Sequence, residues 1–204
     1  TAGGTREAID PVRFLSNHSS GKMGYAIAEA ARDRGASVFL VSTANLPDPV
    51  GVDILRVSST AEMQKVVVKQ CETADVLLMA AAVSDWRPAD VAEQKMKKKS
   101  GEDKWNLSLV RNSDIVGSIE GKKLIKVGFA AESQRLKQNA RKKLKSKGLH
   151  LVVGNDITAE DSGFGSDNNR VVLIGIDGRA EDLGLLTKYQ TAYRILDKVV
   201  SLLG

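Results

Sequence analysis

A chain of 204 residues, 42% of them hydrophobic, can bury one sizeable core, so a single domain over 1–204 is expected. No apolar run reaches the ~18 residues of a membrane span and no signal peptide opens the sequence, so the expected setting is cytoplasmic, without a membrane partner. The single cysteine, Cys71, excludes an internal disulfide and a thiolate zinc cage, the two histidines are too few and scattered for a metal site, and 4% aromatics argue against stacked single-stranded nucleic acid.

The sequence begins at Thr1 with Gly3-Gly4 close behind, which suggests a piece of a longer polypeptide. Arg13-Phe14-Leu15-Ser16-Asn17-His18-Ser19-Ser20-Gly21-Lys22-Met23-Gly24 then puts small, donor-rich residues where a helix begins: Met23, Ile27, Ala30 and Ala31 recur at helical spacing and Gly35 is a stop. A helix start carries unpaired N–H groups and partial positive charge, so Ser19, Ser20, Gly21 and the amides around them are candidates to cradle a phosphate or carboxylate. A serine cap followed by a glycine turn is the plainer alternative. The run is not a Walker loop, because Met23 follows Gly21-Lys22, and its glycines do not fit G-x-G-x-x-G.

Ser37 to Ser42 reads as a buried strand, and Val52 to Val57 as a second one beyond Pro47 and Pro49. Ser59 and Glu62 have the offset of a capping box, with Met63, Val66, Val67 and Cys71 as the buried stripe of the helix. Asp75 to Ala80 is another apolar strand. Such strands alternating with helices predict a parallel sheet covered on both faces. Ligands of such sheets sit beyond the carboxyl ends of strands, and this one ends in Ala80-Ala81-Ala82-Val83-Ser84-Asp85. Asp85 is a candidate to hold a metal or a base amine, or simply to cap the turn.

Trp86 to Lys104 is irregular, with Pro88 and the lysines 95, 97, 98 and 99, and reads as a flap able to close over phosphate charge. Trp105, Leu107 and Leu109 alternate with polar residues at the period of a half-buried strand, making 86–110 a hairpin with a flap at its tip. Asn112 to Val116 looks like a capped helix start, Leu124 to Phe129 a strand ending in small residues, and 133–147 a helix whose second half is Lys and Arg. Those cations suit a helix C-terminus, or a polyanionic partner. A strand at Leu149 to Val153, a polar loop from Asn155 through Gly163-Phe164 to Asn169, a strand at Val171 to Ile174 and a turn at Asp177-Gly178 follow. Thr187 caps the last helix, which packs Tyr193, Ile195, Leu196, Val199 and Val200 inward. The fold class is therefore α/β, a Rossmann-like mostly parallel sheet with helices on both faces plus the hairpin extension.

Several of these segments together resemble phosphopantothenoylcysteine synthetase, the coenzyme A pathway ligase, in its bacterial CTP-using form. The matching stretches are Gly4 to Glu7, Asp10 to Arg13, Ser16 to Gly24, Ala81-Ala82-Val83 with Asp85 and Arg87-Pro88, Lys95 to Lys98, Asp114 to Val116, Gly128 to Glu132, Asn155-Asp156 and Gly163 through Asn169. They run in family order across nearly the whole chain, and Ser-Asn-His-Ser-Ser-Gly-Lys-Met-Gly is the most specific of them. Ser113 in place of a customary proline and Trp86 in place of a tyrosine are departures.

The resemblance implies that 4′-phosphopantothenate is activated by CTP as an acyl-cytidylate and then joined to L-cysteine, with Mg²⁺ arriving on the phosphates. It implies Asn17 at the acyl-cytidylate, Lys95 in the reaction with cysteine and nucleotide, and Arg13 at the active site and dimer. Lys22 and the amides around Ser19, Ser20 and Gly21 would manage phosphate charge. Ala81, Ala82, Asp85, Ser113, Asp114, Ile115, Val116, Phe129, Lys143 and Lys147 would hold CTP. It further implies a homodimer, and often fusion behind a flavin-dependent decarboxylase, with no nucleic-acid partner. The rival readings are an NAD(P)-binding reductase, against which no acidic residue ends the strand at Val41-Ser42-Thr43, and a non-catalytic polyanion binder using the lysine runs.

Overall fold

The computed structural model describes residues 1–97, 103–120, 123–132, 135–156 and 165–204. The lysines 98 and 99, with Gly163 and Phe164, fall outside them.

Strands β1 (Arg6–Asp10) and β2 (Arg13–Ser16) form an antiparallel hairpin whose turn is tied by the Asp10 carboxylate, which accepts the Val12 and Arg13 amides at 2.9 Å each. Helix α1 (Lys22–Asp33) buries Ile27, Ala30 and Ala31 as its periodicity predicts, and Gly35 ends it at φ 82°. Strands β3 (Phe39–Ser42) and β4 (Asp53–Arg56) are parallel. Ser59 caps α2 (Thr60–Gln70), its side chain accepting the Glu62 amide at 3.2 Å, while the Glu62 carboxylate accepts the Ser58 amide at 2.8 Å. Strand β5 (Val76–Met79) leads to the antiparallel pair β6 (Trp86–Pro88) and β7 (Leu109–Arg111). The chain closes with β8 (Ile125–Glu132), α3 (Leu136–Ser146), β9 (Leu151–Asp156), β10 (Asn168–Gly175), β11 (Ala180–Thr187) and α4 (Lys188–Leu203).

The sheet order β5-β8-β9-β10-β11 contains the parallel pairs β5/β8 and β8/β9, then antiparallel pairings out to β11. Residues 1–5 join this sheet to β3 and β4. Ala2 donates to Val41 O at 2.9 Å and accepts the Thr43 amide at 3.0 Å, while Gly3 accepts the Ala82 amide at 2.8 Å and Thr5 donates to Ala82 O at 3.1 Å. The spatial order is thus β4, β3, residues 1–5, β5, β8, β9, β10, β11. The connections reverse direction between residues 1–5 and β5, the crevice position where open α/β sheets bind ligands.

Helices cover both faces. Helices α1 and α4 pack through Ile27, Ala30, Ala192 and Leu196, and α4 also covers Val127, Val153 and Leu173 with Ile195 and Val199. On the other face Met63 and Val67 of α2 meet Leu77 and Met79, and Ala140 and Leu144 of α3 meet Val152 and Val172.

Four local expectations change. Trp105 and Leu109 are exposed rather than half-buried, and only the end of that stretch pairs, because Arg13 rather than a sheet face receives the Trp105 ring. Asn112 to Val116 opens a single turn, with Ser118 N bonded to Asp114 O at 3.0 Å, and not a helix. The turn still buries Ile115 and Ile119, but one turn makes too few hydrogen bonds to offset the cost of nucleating a helix. The edge strand β11 was not expected from its mixed residues, and Val200 points to solvent at 54% exposure.

Candidate functional site

Helix α1 begins without a cap. Its N-cap is Gly21, left-handed at φ 83°, and no side chain closes the first turn; Lys22 N reaches Ser20 Oγ only at 3.5 Å. The serine-cap alternative therefore fails, and the first-turn amides retain the character that favours anions.

Opposite that helix start lies the end of β5. Ala82 O accepts from Thr5 N and, at 2.9 Å, from Asn17 Nδ2. A buried relay fixes the next residues: Glu7 accepts from Thr60 N at 3.0 Å and Thr60 Oγ1 at 2.6 Å, the hydroxyls of Thr60 and Thr5 are 3.0 Å apart, and Thr5 Oγ1 accepts the Ser84 amide at 2.9 Å. Asn112 Nδ2 holds Ser84 O at 2.9 Å. The backbone of small residues is pinned from behind, leaving its front open to a ligand.

The far wall is the 113–116 turn with α3. Lys143 Nζ donates to Phe129 O at 2.6 Å, and Lys147 pairs with Asp114. Burial works to raise the Asp114 carboxyl, but the Lys147 hydrogen bond, the Gly117 amide and the Lys143 charge outweigh it and hold the group below its ordinary value. The basic half of α3 thus divides: Lys143 and Lys147 face the site while Lys142 and Lys145 are exposed.

The remaining corner belongs to Lys22, Asn155, Asn169 and Lys188. Lys22 Nζ lies 2.7 Å from Asp167 Oδ1 and donates to Gly165 O at 2.9 Å; its hydrogen bond holds the Asp167 carboxyl below the ordinary range. Lys188 is 7% exposed and donates to Ser166 O and, at 3.3 Å, to Asn168 O. Burial, then the Lys22 charge, push its ammonium pKa down against the pull of Asp167.

These walls enclose a cleft of about 640 Å³, within the range of small-molecule sites. Every residue expected around the nucleotide lines it: Ser19, Ser20, Gly21, Lys22, Ala81, Ala82, Asp85, Ser113, Asp114, Ile115, Val116, Phe129, Lys143 and Lys147. Asn17 is exposed and outside the lining, its Nδ2 donating to Ala82 O, which belongs to the lining. Arg13 and Lys95 are elsewhere in the chain's own surface: Arg13 pairs with Asp10, donates to Met96 O at 2.9 Å and lies over the Trp105 ring at 5.0 Å. Sequence reasoning passed over Arg111, Asn169 and Lys188 as site residues. One signal was available for Lys188: a lysine in the first turn of a helix opposes the dipole and calls for a compensating reason. Among the described residues no cluster of His, Cys, Asp and Glu suits a metal, and no helix is long and apolar enough to cross a membrane.

The family described as DNA/pantothenate metabolism flavoprotein C-terminal domain matches residues 1–203. The coenzyme A biosynthesis bifunctional protein CoaBC of Vibrio vulnificus (strain YJ016) is 44% identical over 208 residues, 100% of this chain and 52% of that protein. The CoaBC of Bacillus subtilis (strain 168) is 44% identical over 206 residues, 99% of this chain and 50% of its own length. A crystal structure of the C-terminal domain of CoaBC superposes with a TM-score of 0.82 at 38% identity, covering 99% of this chain and 92% of the other. The chain spans about half the length of the curated relatives it matches.

Proposed function

The chain belongs to the DNA/pantothenate metabolism flavoprotein C-terminal domain family, and from that membership and the cleft we propose that it is a phosphopantothenate–cysteine ligase of coenzyme A biosynthesis, driven by CTP. The observation that carries this reading is the uncapped start of α1 facing the Ala80–Ser84 strand end across one cleft. It combines an anion cradle, a flat approach to backbone and a cationic far wall.

In the first step a carboxylate oxygen of 4′-phosphopantothenate attacks the α-phosphorus of CTP, and the bond to the β-phosphate breaks to release pyrophosphate. In the second the L-cysteine amine attacks the acyl carbon, gives up a proton, and expels CMP carrying that oxygen. The protein's task is to hold charge still. The α1 amides and Lys22 stabilise phosphate oxygens, and Lys143 and Lys147 bring positive charge to the other wall. Asn17, fixed on Ala82, offers a carboxamide that adds no competing nucleophile. Mg²⁺ bound to the phosphates would offset their charge; with no carboxylate cluster among the described residues, its oxygen ligands would come largely from the nucleotide and water, with Asp85 on the cleft wall as the nearby carboxylate.

Lys95 and Arg13 do not line the cleft of their own chain, which fits a homodimer in which the partner's flap completes the site. The half of the relatives' length that lies beyond this chain we assign to the flavin-dependent decarboxylase, and we place the protein in the cytoplasm. Incubation with CTP or ATP, 4′-phosphopantothenate and cysteine tests the reading: CTP should support release of pyrophosphate and amide product, with labelled oxygen passing from the acid into CMP. Label appearing in water, or no pyrophosphate, would overturn it.

A further inference from the structure

Behind the strand-end wall of the cleft three polar side chains, Thr5, Glu7 and Thr60, are buried together, and the hydrogen bonds among them can run in one direction only. Glu7 Oε1 accepts both the amide and the hydroxyl proton of Thr60, the first residue of α2, where unpaired amides favour a carboxylate. A hydroxyl has one proton to donate. With that of Thr60 given to Glu7, the 3.0 Å contact between the two hydroxyls has to be a bond donated by Thr5. Thr5 Oγ1 is then left with lone pairs alone, which accept the Ser84 amide at 2.9 Å.

A second branch meets the same Thr60 hydroxyl. Asn112 Nδ2 donates to Thr60 Oγ1 at 3.4 Å and to Ser84 O at 2.9 Å, and the Asn112 amide donates to Asp85 O at 2.9 Å. Ser84 is therefore held by its N–H through Thr5 and by its C=O through Asn112, and both holders converge on Thr60. Ser84 and Asp85 belong to one wall of the cleft, Asn112 leads into the 113–116 turn of the other, and Glu7 is outside the lining. One buried carboxylate thus sets the direction of the bonds that join the two walls. Without such an acceptor the hydroxyls could point either way, and a network that can reverse holds its ends less firmly than one fully satisfied in a single arrangement.

We propose that Glu7 is a positioning residue for the nucleotide: through Thr60, Thr5 and Asn112 it fixes the two walls relative to one another, without touching what they hold. The proposal deepens the ligase reading and rests on it for the identity of the nucleotide. With the walls preset in the free protein, binding does not have to order the backbone at 84–85. Loss of the relay weakens nucleotide binding and spares the chemical step, because Asn17 and Lys22 are held by other contacts, with Ala82 O and with Asp167.

Two measurements test this, the first without any ligand. In amide hydrogen exchange Glu7→Gln and Thr60→Val should speed exchange at Ser84 by at least about fivefold while the amides of β8 and β9 keep their wild-type rates. In calorimetric titration both variants should weaken CTP by about five- to tenfold, the scale of losing one buried hydrogen bond. In turnover KM for CTP should rise, with kcat and the KM for 4′-phosphopantothenate within about twofold of wild type. Thr60→Ser, which keeps the hydroxyl, should restore both exchange and affinity. Faster exchange across the whole sheet, a fall in kcat without a change for CTP, or Thr60→Val behaving as wild type would overturn the positioning role. Should Glu7→Gln fail to fold, the isosteric Thr60→Val still decides. Weakened CTP binding in the variants of a wild type that releases no pyrophosphate would refute the ligase reading and leave the positioning role standing, whereas a wild type that binds no CTP would overturn both.

Discussion

The Asp10 carboxylate and the Arg13 guanidinium, three residues apart across the β1–β2 turn, together grip both backbone groups of Met96: its amide donates to Asp10 Oδ2 at 3.1 Å and its carbonyl accepts from Arg13 Nη2 at 2.9 Å. Lys95 is the next residue, so the hairpin that leads to Asn17 also sets where the flap leaves the body. The Arg13 hydrogen bond, opposed by burial, lowers the Asp10 carboxyl well below the ordinary carboxylate range.

The sign of the resulting pH dependence follows. The unfolded carboxyl titrates near ~3.9 and the folded one lower, so the clamp's contribution is whole above about pH 4 and drains as pH falls through the folded value. Thermal melts between about pH 2 and 5 should therefore show a steeper acid loss in wild type than in Asp10→Asn. Identical slopes would mean that Asp10 is not titrating against the fold.

Asn17→Asp replaces the donor to Ala82 O by a carboxylate facing that carbonyl, and in the proposed reaction it would add negative charge beside the phosphates. Pyrophosphate release should fall by roughly 10²–10³, the scale of losing one aimed donor with added repulsion. A variant that turns over like wild type would remove Asn17 from the mechanism.

Mixing Asn17→Asp protein with Lys95→Ala protein tests whether the partner completes each site. Random exchange gives one intact composite site in each heterodimer, so activity should recover to about a quarter of wild type. No recovery would count against shared sites.

Gly24→Ala should destabilise the fold although alanine is the better helix former. A Cβ on Gly24 would sit 2.5 Å from Ala2 Cβ and 2.6 Å from Thr1 O. The overpacking penalty, about 1–3 kcal/mol, exceeds or cancels the ~1 kcal/mol propensity gain. Urea denaturation measures the balance, and a more stable variant would show that α1 can move away from residues 1–5.

Thr187→Ala removes a capping box in which Thr187 Oγ1 accepts the Gln190 amide and Gln190 Oε1 accepts the Thr187 amide, both at 3.1 Å. The cost should be about 1 kcal/mol, read as a drop of roughly 2–4 °C in Tm. An unchanged Tm would mean that burial of α4 alone fixes its first turn.

Elements governed by local periodicity were legible in the sequence: the amphipathic stripes of α1 and α4, the caps at Ser59 and Thr187, and the apolar strands ending in small residues. Strand β11 was not, because Glu181, Asp182 and Gly184 break its alternation and its conformation is imposed by pairing with β10. Nor was the role of residues 1–5, whose partners lie some 40 and 80 positions away in the chain. In the cleft, the expected residues of the recognisable runs lie along the lining, whereas Lys188 stands out only through the burial that the tertiary structure gives it.

The stitching of residues 1–5 between β3 and β5 also dictates an order of events at the ribosome. The segment that fills the middle of the sheet is made before both of its neighbours, β3 and β5, and its hydrogen-bond partners extend to Ala82. One edge can pair once Val41 and Thr43 have been made, but the other must wait for Ala82. Closure at such sequence separation is slow, and a translation product stalled before Ala82 would leave the second edge of this segment bare, open to pairing with another nascent chain.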